Sequence, residues 1–319
     1  MKRMLTLLLI LVLTGCTAAP PAPETDTPPA PPPTPAAFTV GDREVPVWAY
    51  RYWLDLACQQ VEQLYETAGE TPDWTAAGPD SLSAQVREQA MADAALCAVV
   101  DTWAEDWACG LTEADQAQLD QLWQERAAAH GGEEAYLRSL QDRGLTGEQA
   151  RQLAETGQRY QKLHTAALDP QNPHAPDPEA LSAFAEEQGI CTVDRIQTTG
   201  EAARHRIEVL FSRLNAASDP QTAFSTLAQE GDDHTGPRTC RLDDSTLPPS
   251  LQDAAWDLKP GQHSGILTSG EDYAILLRLP TDLTALVPQW LDAQLLVAVQ
   301  AAQITPLPAL SQVPIPAKP

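Results

Sequence analysis

Basic residues are scarce in this chain. Its 319 residues carry 20 Lys and Arg against 44 Asp and Glu, a formal net charge of −24. Nucleic acid is bound through basic patches that neutralise phosphates, so nucleic acid is excluded as a partner. The same imbalance disfavours docking on anionic lipid and keeps a surface soluble. Long apolar runs are also missing. The one at the N-terminus, Leu5–Leu13, falls well short of the roughly 20 residues a membrane-spanning helix requires. Cysteine never occurs as C-x-x-C, which removes the usual zinc and dithiol redox motifs. His130, His164, His174 and His205 have no ligand spacing, and His263 sits in a turn as a surface residue. No metal and no cofactor is expected.

What the N-terminus does contain is a targeting pattern, kept apart from the fold. Lys2 and Arg3 precede the apolar run, which ends in Leu13-Thr14-Gly15-Cys16. Small residues before that cysteine resemble a bacterial lipobox. The resemblance implies that Cys16 is acylated and anchors the chain in the lipid bilayer, on the extracytoplasmic face of a bacterial cell membrane. An ordinary signal peptide with an incidental cysteine is the alternative. One acyl chain binds a bilayer only marginally, so stable anchoring needs several. Thr17–Ala37 is dense in proline, with Pro31-Pro32-Pro33 near its middle. Such a segment favours an extended, semi-rigid spacer and cannot bury a core.

Beyond the spacer the pattern predicts an α+β chain. "FTVGDREVPV" alternates around Gly41-Asp42, as a short hairpin or a strand entering a helix. Tyr50, Leu54, Ala57, Val61 and Leu64 then recur at helical spacing. Helices are predicted over Leu82–Ala108, from Thr112 to His130 with Thr112 as cap, and after a capping box at Thr146 and Gln149. The tryptophans in this part are expected in the core. After residue 190 the pattern changes to a strand, helices, a polar loop over Asp232–Ser245, a helix and two strands. An amphipathic helix, Pro288–Gln303, and a proline-rich tail close the chain. The expected divisions are 1–16 (signal and lipobox), 17–37 (stalk), 38–190 (helical domain), 191–281 (mixed domain) and 282–319 (C-terminal helix and tail). Five cysteines follow Cys16. That number is odd, so one is left over from any pairing within the chain. Cys97 with Cys109 and Cys191 with Cys240 are the pairings proposed for the rest, with buried thiols as the alternative.

Val193–Leu279 resembles a parvulin-type peptidyl-prolyl isomerase domain. The likeness is carried by "GEAARHRIEVLFSRL", "AFSTLAQEG", "LPPSLQDAAWDLKPGQHSGIL" and "EDYAILLRL" in that order, with the Leu258-Lys259-Pro260-Gly261 turn and Ser264. The stretches "VGDREVPVWAYRYWL" and "GGEEAYLRSLQDRGLTGEQARQL" are similar to the helical chaperone domain of SurA- and PrsA-type foldases. The resemblance implies a mostly α-helical chaperone domain, a parvulin-like domain with a four-stranded antiparallel sheet, and a late helix returning to the chaperone domain. It also implies unfolded exported polypeptides as partners and prolyl cis-trans isomerisation as the activity.

The residues that would carry that chemistry depart from the family's pattern. By resemblance the first pocket histidine falls on Arg195 and the last on Ala274, after Tyr273. The cysteine or aspartate falls on His234, beside Asp232 and Asp233, and the methionine on Leu247. Two pocket phenylalanines fall on Leu242 and Leu251. Arg195, Asp233 and His234 are thus the candidate catalytic residues. Leu242, Leu247, Leu251, Tyr273 and Ala274 are the candidate substrate-binding residues. An arginine donates hydrogen bonds and never accepts them, so it does not replace a histidine. Two readings stay open: a slow or altered isomerase, and a catalytically silent holdase that binds unfolded exported clients.

Overall fold

A computed structural model describes residues 35–233, 235–242 and 247–315. Cys16, the signal segment and all but the last three residues of the expected stalk lie outside these. In chain order the elements are β1 (Ala36–Val40), β2 (Arg43–Pro46), α1 (Val47–Ala68), α2 (Leu82–Asp106), α3 (Glu113–Ala129), α4 (Glu133–Gln141), α5 (Gly147–Leu168), α6 (Pro178–Glu187), β3 (Ile190–Thr198), α7 (Ala203–Ala216), α8 (Pro220–Ala228), β4 (Arg238–Arg241), α9 (Pro249–Asp257), β5 (Leu267–Ser269), β6 (Asp272–Leu279), α10 (Val287–Ala301) and β7 (Ile304–Pro306). The class is α+β. The chain divides into two compact units. One runs to His174 and resumes at Leu291; the other is Ala175–Trp290.

The first unit is helical. On α1 the buried residues Tyr50, Leu54, Ala57 and Cys58 fall at helical spacing, one stripe of a 3.6-residue period. They pack on α2, whose buried face includes Ala90, Ala94, Ala95 and Ala98; small side chains there let two helices approach closely. Helix α1 stops at Gly69, whose φ of 71° places it in the left-handed region, and its N–H bonds the Glu66 carbonyl. Thr112 and Thr146 open α3 and α5 with full capping boxes, closed by Asp115 and Gln149. Asp115 also takes the Lys162 ammonium at 2.7 Å, tying α3 to α5. From α10, Asp292 accepts the Tyr160 hydroxyl at 2.5 Å and lies 3.0 Å from His164 Nε2 on α5.

The expected hairpin is present, turning at Gly41 (φ 57°). It carries a third strand. β7 pairs antiparallel with β1, with Phe38 opposite Pro306, and the sheet order is β2-β1-β7. The sequence showed only a tail here, because three residues ending in proline offer no alternation. Neither proposed cysteine pairing is present as a disulfide. Cys97 lies within α2, and Cys109 is twelve residues further on, past the helix's end at Asp106, with its N–H on the Ala104 carbonyl. Cys97 and Ala104 alone are about 10 Å apart along the helix axis, whereas a disulfide holds Cα atoms at about 4.4–6.8 Å. Cys191 and Cys240 are register partners on β3 and β4, with the Cys240 Sγ 3.7 Å from the Arg238 carbonyl oxygen.

The second unit is built on a four-stranded antiparallel sheet, order β4-β3-β6-β5. Helices cover both faces. Ile196, Ile275 and Leu277 pack under α7 and α8 with Ile207, Leu214 and Phe224. Cys191, Val193, Ala274 and Leu276 pack on the other face with Leu251 and Ala255 of α9. Because both faces are covered, Ala274–Leu277 are four consecutive buried residues. β4 lies inside the stretch read from sequence as a polar loop, for it is short and only Cys240 of it is buried. The compact unit includes α6, which packs on β3 through a face bearing Leu181 and Phe184.

Candidate functional site

Arg195 stands on β3 opposite Leu276, on the face shared with Val193 and α9. Its Nε and NH2 each lie 2.7 Å from Asp233 Oδ2. Arg238 of β4 brings NH2 to the same oxygen at 2.7 Å. The second oxygen, Oδ1, accepts the Thr235 N–H at 3.1 Å and the Thr235 hydroxyl at 2.5 Å. Burial pushes the Asp233 carboxyl up, but the bonds donated by Thr235 and Arg195 outweigh it and hold the pKa down at about 2. On the neighbouring position of β3, burial moves Asp194 the other way, raising it against the N–H bond from Arg195.

The loop before Asp233 explains how the carboxylate gets there. Gly231 closes directly on β3: a Cβ at this position would sit 2.8 Å from the Gln197 carbonyl oxygen. The next N–H, of Asp232, bonds that carbonyl at 2.7 Å. Asp232 then turns its carboxylate to Arg206, at 2.7 and 3.1 Å, and to the Thr199 N–H at 2.7 Å. Two adjacent acids are thus taken by different arginines. This leaves Asp233 ionised at neutral pH with both oxygens occupied, an arrangement unsuited to exchanging protons. Two guanidinium groups on one carboxylate leave the cluster with N–H donors to spare, and Asp194 lies close enough to feel the Arg238 charge.

Leu247, Leu251 and Ala274 share this face of the sheet, at 2, 1 and 1% exposure, packed together around Val193 and Leu276. They form core. Tyr273 belongs to the opposite face, against the cluster that contains Ile275. Leu242 is exposed at the sheet's end, where its N–H bonds the Gly189 carbonyl. The fold therefore assembles Arg195 and Asp233, and on the same face Leu247, Leu251 and Ala274. It does not bring Tyr273 or Leu242 to them, and His234 lies outside the described residues. Arg238 was missed from sequence. Its signal was local: two arginines flank Cys240 in a chain short of bases. Ser264 has a structural task, accepting the Leu276 N–H with its hydroxyl at 2.9 Å beside the backbone bond from its own N–H to the Leu276 carbonyl at 2.8 Å. His263 bonds the Ser264 carbonyl through Nδ1 at 2.9 Å.

The helical unit holds a cleft of 270 Å³ whose lining includes Trp48, Trp53, Leu153, Asp101 and Arg159. Trp48 and Trp53 are half-buried; Trp48 also packs against the core cluster of Tyr136, Leu140 and Leu145, and the Trp53 indole nitrogen is buried. Arg159 reaches Asp101 at 3.1 Å, and Thr156 bonds the same carboxylate. Burial raises the Asp101 carboxyl, with Arg159 opposing. The Cys97 thiol also lines the cleft. Burial, with Asp101 and Asp93 nearby, pushes it up to about 12, so it is unreactive as a nucleophile. An aromatic floor with a few fixed polar groups suits an apolar side chain of a polypeptide. Among the described residues no three His, Cys, Asp or Glu side chains converge as a metal site, and no helix is long and apolar enough to cross a membrane.

No family model and no curated protein matches the chain. Among solved structures it is similar to the foldase protein PrsA from Streptococcus pneumoniae, at 17% identity and a TM-score of 0.26 over 67% of this chain and 84% of that one. PrsA from Bacillus subtilis is similar at 16% identity and a TM-score of 0.27, over 69% and 84%. A third likeness is to SurA-like chaperones of Campylobacter jejuni, at 11% identity and a TM-score of 0.20, over 86% and 99%.

Proposed function

We propose that this chain is a membrane-anchored folding factor acting outside the cytoplasm, a holdase for unfolded exported polypeptides. The sequence resemblance to SurA- and PrsA-type foldases motivates the reading. Acylated Cys16 would supply the anchor and the proline-rich segment the reach. The cleft floored by Trp48 and Trp53 would receive apolar client side chains in the helical unit.

One observation favours holding over catalysis. Twisting a prolyl bond, with a barrier of roughly 18–20 kcal/mol, needs an open apolar slot for the ring and directed donors for the rotating amide. On this sheet Leu247, Leu251 and Ala274 fill the place against one another, and Arg195 and Arg238 are held on Asp233. The mixed unit is then a rigid module with the order of a parvulin domain and no turnover. A slow isomerase is the second reading, favoured by the guanidinium donors of Arg195 and Arg238 that remain to spare for a client carbonyl beyond those held on Asp233. The test is cis-trans isomerisation of a proline tetrapeptide by the full chain. The holdase reading predicts the rate of buffer alone. A rate rising in proportion to chain concentration would overturn it in favour of the second.

A further inference from the structure

We infer that the clients held in the cleft of the helical unit are apolar segments carrying a lysine or arginine, whose cationic head group docks on Asp101 and Glu155. The inference rests on the holdase reading and narrows it to one class of segment. The cleft is made by β2, α1, α2 and α5, all within one unit. Its volume, 270 Å³, is below the roughly 300–1,000 Å³ of sites for drug-sized ligands and suits one or two side chains. Trp48 and Trp53 supply the apolar part of its wall. The rest is charged, and unevenly. Arg159 is divided between two carboxylates: NH1 lies 3.1 Å from Asp101 Oδ1 and NH2 3.2 Å from Glu155 Oε2. Arg43 is held by Glu105 at 2.5 Å, and Glu44 lines the cleft as well. Four carboxylates thus face two guanidinium groups. Asp101 and Glu155 stay within reach, with side chains 22 and 31% exposed.

A client that fills this space must leave those carboxylates with a partner. A purely apolar side chain would take water from Asp101 and Glu155 and give no bond in exchange, which is costly for a charge. An acidic one would add to the excess of negative charge. Lysine and arginine match both parts of the wall. Their stems lie along apolar surface while the charged head stays with polar groups, and a cation within about 6 Å of an indole ring is attracted to it. Two further observations agree. Burial keeps the Asp101 carboxyl above its ordinary value although Arg159 and Arg43 oppose it, so its charge is not fully offset. The excess of acid also extends over the whole chain, −24 in all, a field that draws basic segments and repels acidic ones.

The experiment uses the full chain and three end-capped apolar peptides that differ at one central position, lysine, norleucine or glutamate. Affinities are measured by isothermal titration calorimetry at low and high salt. The lysine peptide is expected to bind about five-fold more tightly than the norleucine peptide at low salt, and the glutamate peptide most weakly. The gap should narrow at high salt. Asp101→Asn and Glu155→Gln should each bring the lysine-to-norleucine ratio toward one, whereas Arg159→Gln, which frees both carboxylates, should widen it. Equal binding of the lysine and norleucine peptides, or a lysine preference that survives in both Asp101→Asn and Glu155→Gln, overturns the inference while the holdase reading stands. No binding of any of the three, with aggregation of an unfolded client unchanged, overturns the holdase reading and the inference with it. The comparison of peptides and salt uses the unaltered chain, so it decides even where a variant does not fold.

Discussion

At the scale of single residues, Asp233 organises the mixed unit. Replacing it by alanine leaves Arg195 and Arg238 without their common acceptor in a largely buried place. Breaking such a pair costs about 3–5 kcal/mol, so Asp233→Ala should lower the urea midpoint of unfolding sharply. Arg195→Met combined with Asp233→Leu should recover part of the loss. The pH dependence follows from the depressed pKa, about 2 against an ordinary 3.8. A carboxylate held down in the folded state stabilises above its unfolded pKa and loses that contribution as pH falls through the folded one. The stability gap between wild type and Asp233→Asn should therefore be full at pH 5 and shrink between pH 4 and 2. A gap that is constant over that range would show that Asp233 carries no such linkage. The sequence displayed Arg195 and Asp233 as chemistry-bearing residues but not their partnership, which depends on Gly231 pressing the loop onto β3. Strand alternation sets Tyr273 and Ala274 on opposite faces, but which of the two meets α9 is set by the tertiary packing.

At the scale of elements, the helices were legible because each repeats its apolar residues many times and announces its ends. Thr112 and Thr146 are the clearest cases, both forming capping boxes in the structure. Thr112→Ala should cost about 1 kcal/mol, read as a lower thermal midpoint with α3 otherwise intact by circular dichroism. The two strands that escaped notice, β4 and β7, are four and three residues long. Too short to show a period, they are defined by what they pair with. β7 protects the edge of β1, and the Leu307 N–H extends the pairing to the Ala37 carbonyl. Ending the chain after Ala302 should expose that edge, lower the thermal midpoint and promote aggregation. An unchanged midpoint would mean that the third strand contributes nothing.

At the scale of the whole molecule, the account joins an acidic chain, two compact units and a cleft with an aromatic floor. Trp48→Ala should weaken suppression of client aggregation several-fold while leaving far-UV circular dichroism unchanged; equal suppression would remove the cleft from the account. The anchor, most of the stalk and His234 lie outside the described residues, so the functional reading rests on the filled face of the sheet. The most direct measurement is refolding of an unfolded client whose last step is limited by a prolyl bond. Light scattering and the rate of the slow phase would be followed in the same sample as the full chain is added. The account predicts scattering that falls with added chain and a slow phase that keeps its rate. A slow phase accelerated in proportion to the chain, or scattering that does not change, would contradict it.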